Sequence, residues 1–148
     1  MSKEFSLQPL LELMQTRTDE ATRRLGQLIA SEQSAKSRLQ LLEQYREEYN
    51  QRFREAAQLG LSPQSWSNYQ EFLGRIDEAV QQQRTVVAGA ERHTASGQEH
   101  WREQNKRLKA IDTLSLRHQA EELRTESRRE QKQQDELSSN RFNKSREE

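Results

Sequence analysis

Cysteine is absent from this chain, proline occurs only twice and glycine only five times. Without cysteine there is neither a disulfide framework nor a thiolate metal site, as suits a reducing compartment. So little proline and glycine argues against a disordered or turn-rich chain. Neither charge sign dominates: Lys+Arg and Asp+Glu both number 24. The balance implies no general attraction to nucleic acid or to an anionic membrane. No run approaches the roughly 18 apolar residues that cross a bilayer. The opening "MSKEFSLQPLLELM" lacks the uninterrupted apolar core of a signal peptide. A soluble cytoplasmic protein without direct membrane insertion is the simplest expectation. Apolar residues are themselves scarce, 30% of the 148 against 32% charged. That is too little for a thick globular core, and it fits long, thin helices.

What is abundant is Gln, Glu, Arg, Leu and Ala, all good helix formers. From Met14 the chain can be read in alternating steps of four and three: Met14, Thr18, Ala21, Leu25, Leu28, Glu32, Ala35, Leu39, Leu42, Arg46, Tyr49, Phe53 and Ala56. Ten of these thirteen are apolar or Ala-sized. A repeat of 3.5 residues held this long marks a helix supercoiled on a partner, with Met14, Ala21, Leu28, Ala35, Leu42 and Tyr49 at d. The three polar exceptions, Thr18, Glu32 and Arg46, fall at a, where they weaken the seam and are candidates for fixing its register.

"QLGLSPQSW" then supplies the turn: Gly60 suits a helix end, Ser62 an N-cap and Pro63 the first helical position. A second stripe follows at Trp66, Tyr69, Leu73, Ile76, Val80, Gln83, Val87, Ala90, Thr94, Gly97, Trp101, Gln104, Leu108 and Ile111, ten of fourteen apolar. Two striped helices joined by so short a link fold back on each other. The predicted fold is all-α, a long two-helix antiparallel coiled-coil hairpin over residues 1–137, fifty residues of helix spanning ~75 Å. Helix one runs over about 8–58, the turn about 59–62 and helix two about 63–135, with a flexible charged tail at 138–148. Centring the turn near residue 60 makes partner numbers add to about 120. Phe53, Pro63, Trp66 and Tyr69 are then expected to pack the hairpin tip. "AGAERHTASG" at 88–97 holds two glycines and a small or polar seam, so it should bend or open easily, or else be a weakly packed stretch without functional meaning.

A search for chemistry finds no GxGxxG, no phosphate-binding GxxxxGK[ST], no GxSxG and no HExxH. His93 and His100 stand two turns apart, too far for the i,i+4 spacing that suits zinc. No cofactor, metal or catalytic residue is expected, and two paired helices offer no water-excluding pocket, so the chain does not look like an enzyme. Basic groups such as Arg23-Arg24, Arg128-Arg129 and Lys106-Arg107-Lys109 sit beside acids, which speaks against nucleic-acid binding. The two flanks of the seam differ. The e flank is polar, except at Ile29. The g flank near the turn carries Phe72, Ala79 and Val86 on helix two, and Tyr45 between Arg38 and Arg52 on helix one. An aromatic patch rimmed by Arg has the composition of a docking surface. A wide seam that takes up Tyr45 and Phe72 as ordinary packing fits the pattern equally well.

"LLEQYREEY" at 41–49, "WSNYQEFLGRIDEAVQQQ" at 66–83 and "WREQNKRLKAIDTLSLR" at 101–117 resemble the FliJ family of flagellar type III export proteins, as do the length, the two-helix plan and "ESRREQKQQDE" at 126–136. Tyr-x-x-x-Tyr followed by Trp-x-Asn-Tyr-Gln-x-Phe is the most specific part. The resemblance implies a non-catalytic antiparallel coiled coil similar to the stalk of rotary ATPases, serving flagellum biogenesis, motility and protein export. It implies three partners: the hexameric flagellar export ATPase, the cytoplasmic domain of the export-gate membrane protein, and export chaperones of filament-end proteins. Localisation would be cytoplasmic, peripheral to the inner face of the cell membrane. The family's gate-binding positions correspond to Leu42, Tyr45, Tyr49, Phe72, Ile76, Ala79 and Gln83. Arg38 stands where the family pattern has Gln, and Gln83 where it has His. Tyr45, Phe72 and Ala79 are also g-flank residues, which favours docking over packing. Three other classes stay open: a chaperone-escort adaptor without ATPase stimulation, the equivalent stalk of a virulence-type secretion system, and a coiled-coil scaffold that homodimerises through its seam.

Overall fold

The computed structural model describes residues 3–147. Met1, Ser2 and Glu148, which belong to the expected coiled coil and tail, lie outside the described residues. Within that range the chain is all-α, with two helices, α1 (Gln8–Leu59) and α2 (Pro63–Glu147). It divides into two compact units. A hairpin unit comprises Glu20–Arg102, and a terminal unit comprises the described residues up to Asp19 together with those from Glu103 on.

The punctuation between the helices follows from residue chemistry. Gly60 takes a positive φ of 94°, which an L side chain would resist, and its amide donates to the Ala57 carbonyl at 3.2 Å. The Ser62 hydroxyl oxygen accepts the Ser65 amide at 3.2 Å, three residues into the turn, and Pro63 starts α2 where its missing amide hydrogen costs nothing. At the other end of α1, Pro9 lies in the first turn, where it is tolerated for the same reason.

The 3.5-residue stripe is the buried one. All thirteen seam positions of α1 are buried or half-buried, and so are thirteen of the fourteen on α2; Trp66 is the exception, 49% exposed. In the hairpin unit Ala21, Ala35, Ile76, Val80 and Val87 form the dry layer, with Val80 fully excluded from solvent. In the terminal unit Leu11 and Met14 do the same. Antiparallel pairing near the expected register is visible in Phe53 with Trp66, Thr22 with Trp101, and Thr18 with Gln104.

The polar seam residues are built into this pairing. The Thr18 hydroxyl donates to the Met14 carbonyl at 2.7 Å. Thr94 donates across to the Leu28 carbonyl at 3.3 Å, Gln83 Nε2 to the Ala35 carbonyl at 3.0 Å, and Trp101 Nε1 to Thr22 Oγ1 at 2.9 Å. Arg46 reaches Asp77 at 3.6 Å, and Glu32 meets Lys36 at 3.7 Å. A slip in register would break the cross-helix contacts of Thr94, Gln83, Trp101 and Arg46, so these specify alignment more than they add stability, whereas the Thr18–Met14 and Glu32–Lys36 contacts lie within α1.

Residues 88–97, where easy bending was expected, are continuous helix. Thr94 is buried there, and a Cβ built on Gly97 would stand 2.5 Å from Leu28 Cδ1. Gly97 is thus the gap into which Leu28 packs, whereas a Cβ on Gly74 meets nothing within 4 Å. Gly74→Ala should therefore raise unfolding free energy by about 0.5–1 kcal/mol through helix propensity alone. Gly97→Ala should gain distinctly less, because Leu28 must move aside. Denaturant unfolding followed by circular dichroism compares the two, and equal gains would remove the packing role of Gly97.

At the expected flexible tail, 138–148, α2 continues to Glu147. Beyond Gly97 the chain has no Pro or Gly, and from Leu123 on its Glu, Gln, Lys and Arg sustain a solvated helix without a buried face. Lys144 and Arg146 in the last turn also complement the helix dipole. From Leu123 onward every described residue is exposed.

Candidate docking site

The closed end of the hairpin unit is an aromatic ladder that climbs from the seam onto one flank. Phe53 and Trp66 meet edge to face with centroids 5.0 Å apart, and Phe53 also lies 5.5 Å from Tyr69. Tyr49 sits 5.5 Å from Tyr69 and 4.5 Å from Phe72. Tyr45 then meets Phe72 edge-on at 6.3 Å and 77°. These separations and tilts are those that favourable aromatic pairs adopt. The order follows from the heptad: Phe53 and Trp66 at a, Tyr49 and Tyr69 at d, Tyr45 and Phe72 at g. The rings pass from seam positions to the g flank as the ladder leaves the turn.

Both ends of the ladder are open to solvent, Trp66 at the turn being 49% exposed. Tyr49 and Phe72 are half-buried, and Tyr45 is 45% exposed. Burial, followed by the neighbouring Tyr69 and Tyr45 phenols, pushes the Tyr49 hydroxyl above its ordinary pKa, while nearby Arg52 pulls the other way. Tyr49 therefore stays protonated at any physiological pH and presents a neutral donor.

Beside Tyr45 lies an open groove lined by Arg38, Leu41, Leu42, Tyr45 and Gln83. Leu42, Tyr45 and Gln83, three of the positions implied by the family resemblance, thus line one depression. Tyr45, Tyr49 and Phe72 form one ring cluster. Ala79 is half-buried, and Ile76 is buried in the dry layer as its d position dictates. Of the tip residues, Phe53, Trp66 and Tyr69 pack as a cluster, while Pro63 is exposed and acts through the backbone.

The opposite flank has another character. There Lys36 pairs with Glu91 at 3.8 Å and Arg84 with Glu43 at 3.5 Å. Exposed pairs of this kind contribute little each, at most about 1 kcal/mol, but they leave that side fully solvated and charge-matched.

Two features escaped the sequence reading. Leu41, 64% exposed on the groove wall, occupies a c position, outside the seam and both flanks. In the terminal unit the Phe5 ring packs 5.5 Å from His118, and His118 Nε2 lies 2.8 Å from the Lys3 carbonyl. His118 continues the d series of helix two, a periodicity that would have placed it against the N-terminal segment. Among the described residues no group of three or more His, Asp or Glu is placed to hold a metal ion, and no helix is long and apolar enough to cross a membrane.

The family model described as "FliJ: Flagellar FliJ protein" matches residues 2–147. The chain is 31% identical over 137 residues to a Flagellar FliJ protein of Salmonella typhi, covering 93% of each chain. It is 29% identical over 137 residues to the Flagellar FliJ protein of Escherichia coli (strain K12), again covering 93% of each.

Proposed function

This chain belongs to the flagellar FliJ family, and on that premise we propose that it is a stalk-like partner of the hexameric export ATPase that links the enzyme to the export gate. Its membership makes it a component of flagellum biogenesis and protein export. The finer reading assigns the gate contact to the flank carrying Tyr45 and Phe72, and the ATPase contact to the terminal unit. A role in handling export chaperones accompanies both. No catalytic role is assigned to any residue. The protein would work in the cytoplasm, held peripherally at the inner face of the membrane by its partners.

The observation that carries the gate assignment is the ladder's departure from the seam. Tyr45 stands off the seam, 45% exposed beside an open apolar groove, where a partner can reach both the ring and the groove. The ATPase assignment draws on α2 beyond Leu123, whose alternating Arg, Lys, Glu and Gln offer many weak contacts and no deep hydrophobic lock.

The test is the ATP hydrolysis rate of the purified cognate export ATPase, with and without this protein, where the ring is only partly assembled. The expected result is a clear rise that disappears on deletion of residues 1–13 or of α2 beyond residue 122. No change with a folded protein and a competent ATPase would overturn the stalk reading in favour of a chaperone-escort adaptor.

A further inference from the structure

Arg38 is the one charged residue on the groove, and no counter-ion faces it among the described residues. The groove's other walls, Leu41, Leu42, Tyr45 and Gln83, are uncharged. So are Ser34, Ala35, Leu41 and Leu42, the residues three and four positions away along α1. Among the described residues no ion pair engages Arg38, whereas Lys36, Arg46 and Arg84 near by each meet a carboxylate. The side chain thus stands as an isolated guanidinium at the edge of an apolar depression whose outer wall, Leu41, is mostly in water.

This combination constrains what can cover it. A purely aliphatic partner laid over the groove would strip water from the guanidinium and return nothing, at a cost that buried unpaired charges make steep. A polyanion such as nucleic acid would need several cations in a row, and the groove has one. A segment with an aliphatic side chain and a carboxylate close beside it satisfies both halves, because the carboxylate can take the planar fork of Arg38 in a bidentate pair while the alkyl group displaces water from Leu41 and Tyr45.

We propose that this groove receives an acidic-aliphatic segment of a protein partner, its alkyl group seated between Leu41 and Tyr45 and its carboxylate paired with Arg38. The proposal rests on the reading of this flank as the gate-facing surface and adds to it the chemistry of the occupant. Leu41 then becomes a contact residue, and Arg38 selects for a carboxylate over a neutral or basic neighbour.

The experiment measures binding of the cytoplasmic domain of the cognate export-gate protein to the full chain at low and at physiological ionic strength. Leu41→Ala should weaken binding about tenfold. Arg38→Glu should weaken it at least about tenfold and reverse its salt dependence, while Arg38→Lys keeps the salt dependence with part of the affinity. Both side chains face solvent, so helical circular dichroism should be unchanged in all three variants. If Arg38→Glu and Leu41→Ala bind like the unaltered chain while Phe72→Ala does not bind, the occupant's chemistry is wrong and the flank reading stands. If the unaltered chain fails to bind the domain, the flank reading falls and takes this proposal with it.

Discussion

Val80→Asp should unfold the helix pairing, whereas Val86→Asp should leave it intact. The two valines lie six residues apart on α2, but Val80 is 0% exposed and Val86 is 53% exposed. An aspartate at 80 would put an ionised carboxylate in the dry layer with Ile76 and Val87, with no polar partner provided for it. The penalty is on the order of 4 kcal/mol or more. A thin core magnifies the loss, because domain stabilities are only about 5–15 kcal/mol in all and few apolar residues share the load here. Val80→Ala, which removes two methyl groups without introducing charge, should cost on the order of 2 kcal/mol and remain folded. Val86→Asp should change stability by no more than about 0.5 kcal/mol, as for a surface site. Thermal unfolding by far-ultraviolet circular dichroism separates the three. Equal midpoints for Val80→Asp and Val86→Asp would mean that the 3.5-residue seam is not what holds the helices together.

That seam is also the feature most legible in the sequence. A period held for six heptads is hard to produce by accident, and burial agrees with it: even the small Ala21 and Ala35 are excluded from solvent. The turn was legible for a different reason, since Gly60, Ser62 and Pro63 each perform a backbone task that few other residues can. What periodicity does not reveal is the width of the buried stripe. Tyr45 and Phe72 at g fit both packing and docking: their rings meet at 6.3 Å, and Tyr45 is 45% exposed. Leu41 was invisible because a c position normally faces water, and its meaning depends on the groove beside it. Ile76 shows the converse. The family resemblance implied a partner contact there, but the d position puts the side chain inside, so it can only support the surface above it. The end of α2 was hard to place because a sequence with no apolar face supplies no period to read, and only its helix propensity speaks for it.

Phe72→Ala should separate docking from packing. Phe72 holds the centre of the exposed end of the ladder, 4.5 Å from Tyr49 and 6.3 Å from Tyr45, and is itself half-buried. Truncating a fully buried Phe costs about 3–5 kcal/mol, so a half-buried one should cost roughly 2 kcal/mol, enough to lower the melting temperature without unfolding the chain. Binding to the cytoplasmic domain of the export-gate protein should fall far more, by about a hundredfold, because an aromatic anchor at the middle of a contact carries a disproportionate share of the affinity. Trp66→Ala is the control. Its ring lies 5.0 Å from Phe53 at the far end of the same ladder and is 49% exposed, so it should lose comparable stability while keeping gate binding near that of the unaltered chain. If both variants lose affinity in proportion to their lost stability, the ladder is a structural clasp and the partner binds elsewhere. Loss of helical signal by Phe72→Ala at ordinary temperature would place the ring in the core and end the docking assignment. If only Phe72→Ala loses affinity, stability cannot be the cause. The flank that carries Tyr45 and Phe72 is then the surface the partner reads, and Trp66 serves only to hold the tip closed beneath it.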